Sequence, residues 1–267
     1  MKTRQPLARR IAQSPAMRPV ILLVIVLALW EIATRLFKVP TYLVPSPGQV
    51  IEQLIKHWPK LLSESGVTTV AALGGFVLSV VIGVPMALLI AYSKTIENYL
   101  YPLLVFSQSV PKIAVAPLFV VWFGFGILPK VISAFLLGFF PVVVAMVTGF
   151  KSVEPDMLDL ARSVKAGRLK TFWFIALPYS MPYLFAGLKV CITLVVVGAV
   201  VGEFVGSNSG IGYVLQVANG NFDLPLMFAA LLVLSTIGVI LFAIVDVAEH
   251  YLIPWHSSRR TSFQATA

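Results

Sequence analysis

The chain has 267 residues, of which 58% are hydrophobic and only 12% charged, and its mean hydropathy is +0.92. Soluble domains sit near about 45–50% apolar and about 25% charged, so a soluble fold, a disordered chain, a disulfide scaffold and a nucleic-acid-binding surface are all excluded. The net charge of +9 comes from 20 Lys and Arg against 11 Asp and Glu, which in so apolar a chain describes a membrane protein with charged edges.

The first apolar run, 20–37, follows a basic arm (1–19) carrying Lys2, Arg4, Arg9, Arg10 and Arg18. That is the layout of a signal peptide. However, the run is long and leads into Arg35, Leu36, Phe37 and Lys38 with no small-residue cleavage site, so it reads as a retained span. Pro45-Ser46-Pro47-Gly48 then breaks the chain. Residues 49–62 carry Val50, Ile51, Leu54, Ile55, Trp58, Leu61 and Leu62 at a spacing of 3–4, which predicts an amphipathic helix at the outer interface. Further spans are expected over 67–92, 100–123, 127–150, 182–205 and 226–252, each near the ~20 apolar residues that a membrane-crossing helix needs. The third is interrupted by Pro111 and Pro117, and 206–223, rich in Gly, Asn and Ser, reads as a loop or re-entrant turn. The expectation is an all-α, polytopic membrane protein of six spans over 20–253, with a tail over 254–267 and no internal repeat.

Lys and Arg set the orientation. With the N-terminus inside, 13 of the 20 basic residues fall on the cytoplasmic side: those of the arm, Lys94, Lys151, Arg162, Lys165, Arg168, Lys170, and Arg259 and Arg260 of the tail. The opposite side holds five: Arg35, Lys38, Lys56, Lys60 and Lys130. Both termini are therefore expected in the cytoplasm.

Polar residues concentrate in the cytoplasmic segment 151–178. Glu154-Pro155-Asp156 suits a helix start, 157–164 is helix-compatible and Gly167 supplies a turn. A second helix follows over 169–177, ended by Pro178 and Pro182. The segment reads as helix, turn, helix lying across the inner face.

Embedded polar groups are the functional candidates, because the bilayer makes them costly. Glu203, toward the outer end of the fifth span, suits a helix-locking role, a pathway lining, a pairing with Lys112 or a place at the headgroups. Lys112 suits an anion, an ion pair, snorkelling to the headgroups or the helix break at Pro111. Pro111 and Pro117 free backbone groups that are tolerated only inside protein or beside a water-filled cavity, which makes 108–117, from Gln108 on, a candidate translocation path. Gly75, Gly83, Gly138, Gly149, Gly187 and Gly198 suit close helix packing. Asp246 and Glu249 are expected near the inner headgroups. His57, His250 and His256 have no metal-ligand spacing, Cys191 is alone, and no G-x-S-x-G stretch is present, so an intramembrane enzyme has nothing to work with.

Asp159-Leu160-Ala161-Arg162-Ser163, Gly167 and the closing Ile175-Ala176-Leu177-Pro178 resemble the EAA coupling loop of type I ABC importer permeases. That pattern is Glu-Ala-Ala, three residues, Gly, and Leu-Pro further on. Asp159 stands for the Glu, Leu160 for the first Ala and Lys165 for the Gly, with Gly167 two residues later, so the turn is expected to be reshaped. The run Pro111-Lys112-Ile113-Ala114-Val115-Ala116-Pro117, continuing through Trp122-Phe123-Gly124, is similar to the nitrate/sulfonate/taurine/bicarbonate subfamily. So are Val44-Pro45-Ser46-Pro47, Gly202-Glu203 before Gly210-Ile211-Gly212, and Pro254-Trp255-His256.

The resemblance implies a non-catalytic permease of a bacterial inner membrane, working as a homodimer with two cytoplasmic ATPases and an external solute-binding protein. No G-x-x-x-x-G-K-[ST] stretch is present, so ATP and Mg are expected in the partner ATPase and no cofactor on this chain. Glu154, Asp159, Ala161, Arg162, Ser163, Lys165, Ala166, Gly167, Arg168, Leu177 and Pro178 are expected to couple to that ATPase. The solute is expected to be a small anion of nitrate, sulfonate, taurine or bicarbonate type, with an uncharged vitamin precursor as the alternative. The competing class is an ATPase-independent carrier or channel. Carriers typically show inverted repeats and coupling-ion carboxylates near the midplane, which this sequence lacks.

Overall fold

The computed structural model describes residues 17–255, and the readings made of the arm before residue 17 and of the tail from His256 on lie outside them. Eleven α-helices are present among these residues: α1 (Met17–Leu36), α2 (Pro47–Lys56), α3 (Trp58–Tyr92), α4 (Lys94–Gln108), α5 (Lys112–Phe123), α6 (Ile127–Lys151), α7 (Pro155–Ser163), α8 (Arg168–Thr171), α9 (Leu177–Gly206), α10 (Ile211–Gly220) and α11 (Leu224–Leu252). A π-helical turn, Phe172–Ala176, joins α8 to α9. The fold is all-helical. Four helices are long and apolar enough to cross a membrane, or five when the bent pair α4–α5 counts as one span. The expected six is not reached by that measure, and α1 stands beside these as a helix of 20 residues.

The centre is α6, packed between α3 and α9. Lipid is as apolar as leucine, so helices in a bilayer are held by close contact rather than by escape from water. Small residues supply that contact. A Cβ on Gly198 of α9 would lie 2.6 Å from the Ala134 Cα of α6, and one on Gly75 of α3 would lie 2.8 Å from the Phe135 backbone nitrogen. Gly138 faces Val195 and Cys191, and Gly187 faces Ala145. The packing role expected for these glycines matches what lies opposite them. Around this sandwich, α11 packs on α9, α10 and α2, and the Trp30 and Phe228 rings, 5.9 Å apart, connect α1 to α11.

Several boundaries differ from the sequence expectation, each for a local reason. The single amphipathic helix expected over 49–62 is two pieces. Ser46 caps α2 in a reciprocal capping box with Gln49, α2 ends at Lys56, and the chain restarts at Trp58 with Pro59 in the first turn. Trp58, Leu61 and Leu62 therefore belong to α3, which begins nine residues before the expected 67. The expected third span is broken by 95° between α4 and α5, at residues 109–111. Pro111 caps α5, whereas Pro117 lies inside it without breaking it. The 206–223 stretch contains α10. Pro178 and Pro182 do not end a helix: the stretch Arg168–Gly206 runs as one helical rod of 39 residues. The π turn shifts the hydrogen-bond register, with the Leu177 N–H reaching back to the Phe172 carbonyl, so Pro178 falls in the first turn of α9, where a missing N–H costs little.

Gly198→Ala is expected to lower the thermal midpoint of the purified protein, by about 1–3 kcal/mol of overpacking. Gly238→Ala, where a Cβ meets nothing within 4 Å, is expected to leave it unchanged. A fluorescence melt of both variants in detergent checks the pair.

Candidate functional site

Two polar constructions stand at opposite ends of α9. The first surrounds Glu203, which is 0% exposed. Its carboxylate accepts from the Thr68 hydroxyl of α3 at 2.9 Å and from the Gly212 N–H at 2.7 Å, while the Thr68 oxygen accepts from the Ile211 N–H at 2.8 Å. Glu64, one turn before Thr68, accepts from the Gly210 N–H at 2.6 Å. Lys130 of α6 donates to the Ser209 carbonyl at 2.8 Å and to its hydroxyl at 3.1 Å. The first N–H groups of α10, which have no partner inside that helix, are thus satisfied by side chains from α3 and α9. Gly210 has φ +102, and a Cβ there would run into the Glu203 carboxylate, so only glycine fits the position. The arrangement is a clamp that pins 207–212 onto α3, α6 and α9.

This clamp decides among the readings of Glu203. Its side chain lies within the subunit and makes no contact with Lys112, whose ammonium donates to Gln108 Oε1 at 2.8 Å. Glu203 is held between α3, α9 and the start of α10, the arrangement that the helix-locking reading expects, and is not paired with Lys112. Pro117 and Gln108 are exposed, as is Pro111 at the break, and Lys112 is half-buried. Thr68, Glu64 and Ser209 escaped the sequence reading, and Lys130 entered it only for its charge on the outer side, since nothing local links the four. The usable signal was Gly210-Ile211-Gly212 following a lone acidic residue in an apolar run.

The second construction is the 152–176 segment. The rings of Tyr92, Phe150 and Phe172 meet pairwise at 6.0–6.2 Å, packing the π turn against the ends of α3 and α6. Lys151 pairs with Glu97, tying α6 to α4. Glu154 precedes α7 as its N-cap residue without a side-chain cap bond, and Pro155 opens the helix. Leu158 and Ala161 turn inward, Ala161 being buried. Met157, Leu160 and Val164, at i, i+3 and i+7, form an exposed apolar stripe on another face of the segment. Asp159 and Arg162 pair at 2.8 Å on the surface, and Ser163 donates to the Leu160 carbonyl at 2.8 Å.

After α7, Lys165 holds φ +53, the left-handed conformation that glycine most often serves at the end of a helix. The Lys165 N–H bonds the Arg162 carbonyl and the Ala166 N–H bonds the Ala161 carbonyl, both at 2.9 Å, which closes the helix in a Schellman motif. Gly167 has φ −64 and needs no glycine; it leads into Arg168 and α8. Leu177 and Pro178 form the start of α9, half-buried where the rod meets the bundle. The stripe was also missed by the sequence reading, although its spacing was visible.

Glu203→Ala strands the Gly212 N–H and the Thr68 hydroxyl beside a cavity and is expected to cost about 2–4 kcal/mol. Glu203→Gln can accept from Gly212 and donate to Thr68, and is expected to stay within about 1 kcal/mol of wild type in the same melts. Lys165→Gly relieves about 1 kcal/mol of backbone strain. It is expected to keep transport activity and to stabilise the loop, read as slower proteolysis of the 152–176 segment.

Residues 79–254 match the family model described as the binding-protein-dependent transport system inner membrane component. The formylaminopyrimidine transport permease protein of Halalkalibacterium halodurans is 36% identical over 245 residues, covering 91% of this chain and 98% of its own. The riboflavin transport system permease protein of Chloroflexus aurantiacus is 33% identical, covering 91% and 92%. The taurine transport system permease protein of Escherichia coli is 28% identical, covering 96% and 94%. Among solved structures, the MetNI methionine ABC transporter in an inward-facing conformation shares the fold, with a TM-score of 0.56 at 18% identity over 76% of this chain and 95% of that one. A carrier or channel working without an ATPase is thereby set aside. The chain belongs to the inner-membrane permeases of binding-protein-dependent ABC importers, as a multi-pass, non-catalytic subunit of type I fold whose family works with an ATPase and a solute-binding protein.

Proposed function

We propose that the chain acts as a homodimer with both termini in the cytoplasm, seats the segment from Glu154 to Pro178 on two ATPase subunits, and passes a small solute inward by alternating access. ATP and Mg belong to those ATPases. The observation that carries the coupling role is the stripe Met157, Leu160 and Val164, exposed along α7 and its C-cap while Leu158 packs on the inner cluster and Ala161 is buried. An apolar row left open beside an exposed charged pair suits a protein groove and not bulk water. The rod from Arg168 to Gly206 then carries displacement of the loop directly into the bundle.

For the solute, the proposal is a small nitrogen-heteroaromatic compound of vitamin-precursor type. Its support is that the relatives named for formylaminopyrimidine and riboflavin are 36% and 33% identical, against 28% for the taurine relative. A small anion of nitrate, sulfonate, taurine or bicarbonate type is the second reading, favoured by the positive charge of Lys112 beside the helix break.

Co-purification of the tagged chain with its ATPase tests the coupling role. Leu160→Asp with Val164→Asp is expected to abolish recovery of the ATPase, while the folded permease is still obtained. Retention of a full ATPase complement by the double variant overturns the docking face. Uptake by the assembled importer, with formylaminopyrimidine and taurine supplied separately alongside the binding protein, decides between the two solute readings.

A further inference from the structure

Lys112 is placed by its neighbour. Its ammonium lies 6.0 Å from the ring centre of Phe140, which is the fourteenth of the 25 residues of α6. A helix of that length rises about 37 Å against ~30 Å of hydrocarbon, so the ammonium stands near the middle of the membrane. A lysine stem reaches less than half of the ~15 Å from there to the headgroups, and snorkelling does not solve its solvation.

Nor does an ion pair. Among the described residues no carboxylate lies within ion-pair distance of Lys112, and its hydrogen-bond partner is Gln108 Oε1. The other lysines within spans are handled differently. Lys189 meets Asp246 and Glu249, each at 2.5 Å, and Lys130 is 2% exposed beneath Ser209. Lys112 also opens α5 directly after the 95° break, where residues 105–111 are all exposed and include Ser107, Gln108 and Ser109. A half-exposed cation at mid-depth, next to a run of polar residues, is at odds with lipid and suits a face that water or a polar solute reaches.

We propose that Lys112 and Gln108 form a solute-binding point at mid-membrane, recognising a hydrogen-bond-accepting edge of the transported molecule. Two of the three ammonium N–H groups and both N–H groups of the Gln108 amide stand ready to donate. Phe140 supplies a ring face beside the ammonium. The chemistry fits a flat, acceptor-bearing heterocycle, and it equally holds a small carboxylate or sulfonate. The inference rests on the importer reading and deepens it by naming what contacts the solute.

The sequence has one cysteine, Cys191, and it is buried, so Lys112→Cys carries a single accessible thiol. In the full complex in liposomes, a charged, membrane-impermeant methanethiosulfonate is expected to label Lys112→Cys at least about tenfold faster than Val239→Cys, which is exposed on the apolar mid-stretch of α11. Equal, slow labelling of the two overturns the proposal. Lys112→Met is expected to raise the uptake KM about tenfold for whichever of formylaminopyrimidine or taurine the wild-type importer carries, since a charged hydrogen bond is lost. An unchanged KM also overturns it. ATPase co-purification on the same samples separates the two levels: a wild type that recovers no ATPase counts against the importer assembly, whereas normal recovery with an unlabelled Lys112→Cys counts against the binding point alone.

Discussion

Everything in this subunit hangs on how closely α6 approaches its two neighbours. Inside a bilayer, moving an apolar helix from lipid to another helix gains little, so attraction has to come from dispersion at short range. Gly198 lets the α9 backbone come up to Ala134, and Gly75 does the same for α3 on the other side of α6. The space over Gly138 is filled by Val195, Cys191 and the Ser79 hydroxyl, which makes the lone cysteine a packing residue. Small residues along these seams therefore set the position of both ends of α9, and with them the two polar constructions.

Those constructions are mechanically connected. From Arg168 to Gly206 the chain is one helical rod of 39 residues, about 58 Å long. One end is held by the aromatic trio of Tyr92, Phe150 and Phe172, with the Schellman turn at Lys165 just before it. The other end carries Glu203 and, through it, the start of α10. A hinge at Pro178 would have absorbed motion between them. The π turn removes that hinge by letting the proline fall where its missing N–H does no harm.

The sequence made the membrane class, the all-helical fold and the location of the linker segment plain, because each follows from composition or from periodicity over many residues. What it hid was register and partnership. A 3–4 spacing running from Val50 through Leu62 looks like one helix, and only the capping box at Ser46 with the restart at Trp58 shows two. Lys165 stands where the EAA pattern has glycine, and that its backbone takes a left-handed turn closing a Schellman motif was not readable from the residue type. Glu203 was legible as unusual, but its partner Thr68 lies 135 positions away, and the Gly210 to Glu64 bond beside it spans 146, pairings that no local pattern encodes.

The treatment of charge inside the spans is the sharpest physical contrast in the molecule. Lys189 is neutralised by two carboxylates one turn apart on α11, which also fastens that helix to α9. Lys130 is buried against a carbonyl and a hydroxyl as part of a clamp that orders the approach to α10. In both cases the cost of an embedded cation is offset by partners within the subunit, and each cation earns its place structurally. Lys112 has for partners one neutral amide of its own bent pair and the ring face of Phe140 on α6, and no carboxylate among the described residues neutralises it. A lysine in that position loses solvation without gaining structure, unless the space it faces is polar. The proposed binding point at the break between α4 and α5 would supply that polar space.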